Sequence, residues 1–161
     1  MTLTITFIFF FFGLIIGSFL NVVIYRFNTG RTLGGRSACM SCMRKLSWYE
    51  LIPLGSYLVQ AGKCRGCKTK ISFQYPLVEL ITGLIFAILF LKFQYLFWTD
   101  IGSFSFTIAF YAAIFSVLMI ISVYDLKHKI IPDVLSFVFG AWVTRFRSKG
   151  ISWRVFRSVG I

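Results

Sequence analysis

The sequence predicts an all-α integral membrane protein with about three transmembrane helices, a partial fourth, and a small polar loop between the first two. The first observation is composition: 58% of the 161 residues are hydrophobic and only 14% are charged, whereas soluble domains carry about 25% charged residues. The second is that three long apolar runs alternate with polar segments. The third is the 20 Phe residues, more than one soluble core of this size would bury.

The first element, residues 1–25, is predicted to be transmembrane helix 1. Its run from Leu3 to Ile24 contains no charge, and about 20 apolar residues suffice to cross a bilayer core. No basic region precedes the run, which favours a permanent helix over a cleaved signal peptide. Gly13 and Gly17 predict a small-residue face that packs against another helix, whereas the aromatic run from Phe7 to Phe12 is predicted to face lipid.

Two further transmembrane helices are predicted at residues 76–95 and 103–124, and a partial fourth at 133–144. Pro76 suits the first turn of a helix, because its missing N–H would be unpaired there. The last apolar segment, 134–143, is too short to cross a bilayer unaided. We therefore expect it to enter the membrane partway or to lie on the membrane surface, followed by a basic tail.

The distribution of basic residues predicts the orientation. The block 26–75 holds nine Lys or Arg and one acid, Glu50, whereas the connector after the second helix holds at most Lys92, offset by Asp100. Cytoplasmic loops carry an excess of Lys and Arg, so the block 26–75 is predicted to face the cytoplasm on the same side as Asp125. The net charge of +12 then indicates membrane lipids as a partner, and no nucleic acid.

The block 26–75 holds all four cysteines, arranged as two Cys-x2-Cys pairs. Cys39 and Cys42 are separated from Cys64 and Cys67 by 21 residues, one more than the roughly 15–20 residues usual for paired zinc knuckles. Two such turns can complete a closed tetrahedral zinc site, which would be structural. Disulfides and free buried thiols are the alternatives, and a cytoplasmic location disfavours disulfides. The block is therefore predicted to be a zinc-ribbon-like loop.

The stretch YDLKHKIIPD, Tyr124 to Asp133, places two of the five acidic residues at the end of the third apolar run. A lone carboxylate such as Asp125 is most often an interface anchor or the partner of a lysine. Peptide hydrolysis by aspartates needs two carboxylates that share one proton. The residues by themselves therefore leave the role of Asp125 open.

A series of short motifs extends from about Gly13 to about Gly140. It begins with GLIIGSFLNVVIYR, continues through the two cysteine pairs, and ends with an Asp followed after several residues by Ile-Pro-Asp. In this order the motifs resemble those of bacterial prepilin peptidases, the type IV leader peptidases. Further positions that match the family are Ile52-Pro53, Ser56, Gly62, Ile71-Ser72, Tyr75-Pro76 and Glu79.

The resemblance implies a membrane aspartic protease of the bacterial inner membrane, which cleaves leader peptides from type IV prepilins and pseudopilins. Many members also methylate the new N-terminus with S-adenosylmethionine, for which no binding residue is identified here. The family's first catalytic aspartate corresponds to Asp125, and residues 76–161 correspond to the start of the peptidase membrane domain. Asp133 is interpreted as a helix cap.

One departure from the family pattern bears on activity. The family's second catalytic aspartate lies in a Gly-x-Gly-Asp motif, and the 161 residues contain no such motif. We therefore expect this chain to be a truncated relative that does not cleave by itself. The alternative is a non-catalytic, zinc-stapled membrane module that binds prepilins or a partner in a secretion apparatus.

Overall fold

The computed structural model describes residues 1–26, 35–128 and 140–141. Within these residues the helices are α1 (Thr2–Arg26), a 3-10 helix (Trp48–Leu51), α2 (Gly55–Val59), α3 (Gln74–Thr99) and α4 (Ile101–His128). Three of them, α1, α3 and α4, are long and apolar enough to cross a membrane. This part of the chain contains no strand beyond two isolated bridges. The predicted all-α membrane architecture is thus confirmed, while the predicted helix 133–144 lies outside the described residues except for 140–141.

Asp100 separates α3 from α4. We predicted helices at 76–95 and 103–124 with a connector between them, but α3 begins at Gln74 and continues through its aromatic end to Thr99. Asp100 then adopts an extended conformation, with φ −149° and ψ 98°. Its carboxylate accepts hydrogen bonds from the Gly102 N–H at 3.0 Å and the Ser103 hydroxyl at 2.5 Å. Because the first N–H groups of a helix have no partner within the helix, this carboxylate caps α4.

The described residues belong to two compact units, Met1–Ile120 and Ile121–Ile161. In the first unit, α1 and α3 form an antiparallel pair in close contact. A Cβ atom added to Gly13 would lie 2.8 Å from the Gly83 Cα, and one added to Gly17 would lie 2.8 Å from the Glu79 Cα. The backbones can approach this closely only because glycine stands at these positions. The predicted small-residue face of α1 is confirmed.

An aromatic core lies between α1, α3 and the first part of α4. Phe90 is fully buried, stacks on Phe9 at 4.9 Å and meets Phe104 edge-on at 6.2 Å. The prediction that the whole aromatic run of α1 faces lipid is therefore wrong for Phe9. Phe9 lies one turn before Gly13, on the face that packs against α3, whereas Phe7 and others in the run are exposed.

We expect Gly17→Ala to destabilise the α1–α3 pair by about 1–3 kcal/mol, the usual cost of overpacking a tight contact. The added Cβ would meet Glu79 backbone at 2.8 Å, and backbone cannot move aside as a side chain can. Thermal unfolding in detergent measures the effect. Gly102→Ala is the matched control, since its added Cβ meets only the Asp100 side chain, at 3.3 Å. An equal, small shift for both variants would contradict close backbone packing at Gly17.

Candidate functional site

Each cysteine pair lies on a tight turn closed by backbone hydrogen bonds. In the first turn the Cys39 N–H donates to the Arg44 carbonyl, and the Met43 N–H donates to the Cys39 carbonyl, both at 3.0 Å. An antiparallel bridge between Ala38 and Lys45 joins the two ends of the turn. Met43 has a left-handed backbone, with φ 56°, which lets the chain reverse directly after the second cysteine.

The second turn has the same backbone hydrogen bonds, positive φ and antiparallel bridge as the first, at equivalent positions relative to its first cysteine. The Cys64 N–H donates to the Thr69 carbonyl at 2.9 Å, and the Lys68 N–H donates to the Cys64 carbonyl at 3.0 Å. Lys68 has φ 60°, and a bridge pairs Lys63 with Lys70. The two turns share little sequence beyond Cys-x2-Cys. Their equivalence lies in backbone conformation, which several sequences can adopt.

The four thiols converge on one point. The Sγ atoms of Cys39, Cys42, Cys64 and Cys67 all lie within 4.8 Å of one another, and 3.8 Å separates those of Cys39 and Cys67. A tetrahedral zinc ion with bonds of about 2.3 Å has sulfur–sulfur edges of about 3.8 Å. A disulfide requires about 2.05 Å, and all four cysteines are free. The cluster therefore fits a tetrahedral metal ion.

The thiols differ in acidity because their hydrogen-bond partners, their desolvation and their neighbouring thiols differ. The hydroxyl and backbone N–H of Thr69 lower the pKa of Cys67 to about 6. The backbone N–H of Arg44 lowers the pKa of Cys42, but desolvation and the neighbouring thiols outweigh it and raise that pKa to about 11. Adjacent thiolates repel one another. A divalent cation removes this repulsion, so the cluster has the chemistry of a metal site.

An ion pair between an exposed arginine and a buried glutamate braces the first turn. The Glu50 side chain is 1% exposed and binds the Arg44 guanidinium at 2.5 Å. It also accepts the Ser47 N–H at 2.9 Å. The Ser47 N–H and the Arg44 charge hold the pKa of Glu50 below its ordinary value. Arg44 also approaches Gly66 in the second turn, where an added Cβ would lie 3.3 Å from its Nε. The pair thus joins the two turns and keeps a positive charge beside the thiols.

Glu79 ties the loop to α3. This buried carboxylate accepts the Leu54 N–H at 2.8 Å. On α1, Asn21 is 1% exposed and its amide donates to the Tyr75 carbonyl at 3.0 Å. Sequence reasoning missed the contacts made by Glu50 and Glu79. The available signal was that each is an isolated acid among basic and apolar residues.

Asp125 lies in the second unit, within the last turn of α4, and is half-buried. The predicted third transmembrane helix ended at residue 124, one residue before Asp125, whereas α4 continues to His128. Asp133 lies outside the described residues. The structure thus brings the four cysteines together in the first unit and places Asp125 at the end of the third long helix.

Residues 11–93 match the family described as the bacterial peptidase A24 N-terminal domain. Among similar proteins, the prepilin leader peptidase/N-methyltransferase of Myxococcus xanthus is 53% identical over 46% of this chain and 22% of its own length. The proteins of that name from Vibrio cholerae and Bacillus subtilis are 38% and 37% identical, each over 78% of this chain and 49% and 48% of their lengths. This chain thus spans about half or less of these relatives. No solved structure matches it.

Proposed function

From the premise that this chain belongs to the bacterial prepilin peptidase family, we propose that it takes part in cleaving leader peptides from type IV prepilins and pseudopilins at the inner membrane. The family match over residues 11–93 is the observation that carries this proposal. The Cys loop and Asp125 would face the cytoplasm, as the excess of basic residues in the loop favours.

We assign Asp125 as one of two carboxylates in an aspartic-type cleavage. In this chemistry an ionised carboxylate takes a proton from water, which attacks the scissile carbonyl carbon. The other carboxyl group, protonated, donates a hydrogen bond to the carbonyl oxygen and later protonates the leaving amine. The 161 residues contain no Gly-x-Gly-Asp motif for the second group. We therefore expect the 161-residue chain not to cleave by itself.

Zinc held by the four cysteines would be structural, since a closed four-thiolate site leaves no position for substrate or water. It would fix the loop against α3, where Glu79 holds Leu54. S-adenosylmethionine would serve as the methyl donor if the chain also takes part in N-methylation, as the names of its relatives suggest. We assign no residue to that activity.

A cleavage assay with two proteins tests the proposal. One is the 161-residue chain; the other is a chimera in which this chain replaces the matched half of the Vibrio cholerae relative. Both are reconstituted in vesicles with a prepilin substrate. We expect cleavage by the chimera only. Cleavage by the shorter chain would refute the need for a second carboxylate, whereas a folded, metal-loaded chimera without activity would refute the proposed function.

The second candidate is a non-catalytic membrane module that binds prepilins or a secretion partner. The observation in its favour is that all four thiols of the candidate metal site, with the Arg44–Glu50 ion pair beside them, lie within the described residues. An inactive chimera, together with saturable binding of the prepilin by the 161-residue chain, would support this candidate.

A further inference from the structure

The loop carries an exposed apolar surface that the metal centre does not use. The 3-10 helix packs against α2, yet five apolar side chains in and beside these two elements remain exposed. Trp48 and Leu58 are each 76% exposed and Val59 is 75% exposed; Leu51 and Ile52 are also exposed. We call these five residues the apolar loop surface. Such clusters on soluble surfaces mark interaction sites.

A hydrogen bond indicates where the apolar loop surface lies along the axis of α3. The Leu54 N–H donates a hydrogen bond to the Glu79 carboxylate. Glu79 lies five residues after Gln74, the first residue of α3. At about 1.5 Å per residue, this point lies about 7.5 Å into the helix. The Leu54 segment directly precedes α2, so the apolar loop surface lies close to the first turns of α3.

The length of α3 places those turns at the membrane surface. Its 26 residues make a helix of about 39 Å, roughly 9 Å longer than a hydrocarbon core of about 30 Å. Polar groups are costly inside hydrocarbon, so the end that carries Gln74 and Glu79 belongs at one membrane surface and the end that carries Lys92 at the other. The apolar loop surface is therefore level with the headgroups and the outer edge of the acyl chains.

The charge around this surface suits an anionic bilayer. Residues 35–73 carry one acid, Glu50, and seven basic residues: Arg36, Arg44, Lys45, Lys63, Arg65, Lys68 and Lys70. The Glu50 charge is already neutralised by Arg44. Arg65 is held 5.2 Å from the Tyr49 ring, next to Trp48. Apolar side chains flanked by cations are the pattern of segments that lie in the membrane interface.

We propose that the apolar loop surface is inserted into the headgroup region of the membrane that α1 and α3 cross, so that anionic lipids form part of the support of the metal-binding loop. The bilayer, rather than another protein, covers Trp48, Leu58 and Val59. This inference does not depend on the proposed function, because it concerns how the loop is seated and not what it acts on.

Tryptophan fluorescence tests the proposal. The full chain is prepared with Trp98→Phe, Trp142→Phe and Trp153→Phe, which leaves Trp48, and is reconstituted in vesicles of phosphatidylcholine and phosphatidylglycerol. We expect blue-shifted emission and a loss of emission on lipids brominated near the headgroup. The loss should be smaller on lipids brominated deep in the acyl chain. A chain that retains only Trp98, which is exposed near the end of α3, is the positive control for lipid contact.

The variant Leu58→Glu with Val59→Glu, made in the Trp48 background, should shift emission to the red and weaken quenching by brominated lipid. Gln60→Glu adds a charge directly after α2 and should change little. Trp48 emission that is red-shifted and quenched by aqueous iodide would overturn the proposal. Blue-shifted emission that is insensitive to brominated lipid would also overturn it, because protein would then cover the surface. The Trp48 chain decides the question even if the double variant fails to fold.

Discussion

Asp125→Asn in the chimera is expected to lower kcat/KM for prepilin cleavage by about 10²–10⁴-fold, the range that a positioned acid or base contributes. Asparagine keeps the size and shape of the side chain but cannot ionise or share a proton with a second carboxyl group. It therefore removes the chemistry proposed for Asp125 and leaves packing at the end of α4 nearly unchanged. Cleavage rates at several prepilin concentrations measure the effect.

Asp100→Asn is the matched control for that variant. Asp100 is also an aspartate beside α4, but its carboxylate caps the start of that helix through Gly102 and Ser103. We expect a stability loss of about 1 kcal/mol or less and no change in cleavage. If Asp125→Asn and Asp100→Asn behave alike, Asp125 is an anchor and the proposed catalytic role is wrong.

Cys64→Ser is expected to abolish metal retention. Cys64 is the most buried of the four cysteines, at 4% exposed, and the backbone N–H groups of Cys67 and Gly66 lower its pKa. A serine hydroxyl does not supply an anion at neutral pH, so one corner of the tetrahedron is lost. Substituting a residue that only supports a metal ligand lowers metal affinity by about 10–100-fold. Loss of the ligand itself should therefore lower the affinity by more than about 10²-fold.

Metal content per chain, measured by elemental analysis after purification, should fall from about one zinc to near zero. Because metal binding contributes to folding in small metal-stapled domains, the loop should also become sensitive to protease, while α1 and α3 remain protected by the membrane. Ser41→Ala, between Cys39 and Cys42, leaves all four ligands in place and should retain the metal. Full zinc content in Cys64→Ser would show that the cluster is not the binding site.

The sequence predicted the candidate metal residues because their signal is local. Two Cys-x2-Cys turns bring thiols together in pairs whatever surrounds them, and the structure places all four Sγ atoms within 4.8 Å. The bracing contacts were not predictable in this way. Glu50 and Arg44 lie six residues apart, and Glu79 and Leu54 lie 25 apart. Such pairs depend on how the loop folds, and an isolated acid does not reveal which donor it meets.

The sequence by itself determined that the chain crosses a membrane, where the three long helices lie, and which four thiols can share a metal ion. Length and apolar content are enough for the first two, since only a long apolar helix satisfies its backbone in lipid. Only the tertiary structure decided which face of each helix is packed. In a soluble helix the polar face marks the outside, but here the packed Phe9 and the exposed Phe7 are the same residue type. Lipid and protein interior are equally apolar, so the pattern that would separate inside from outside is absent, and the close approach at Gly13 and Gly17 settles it instead.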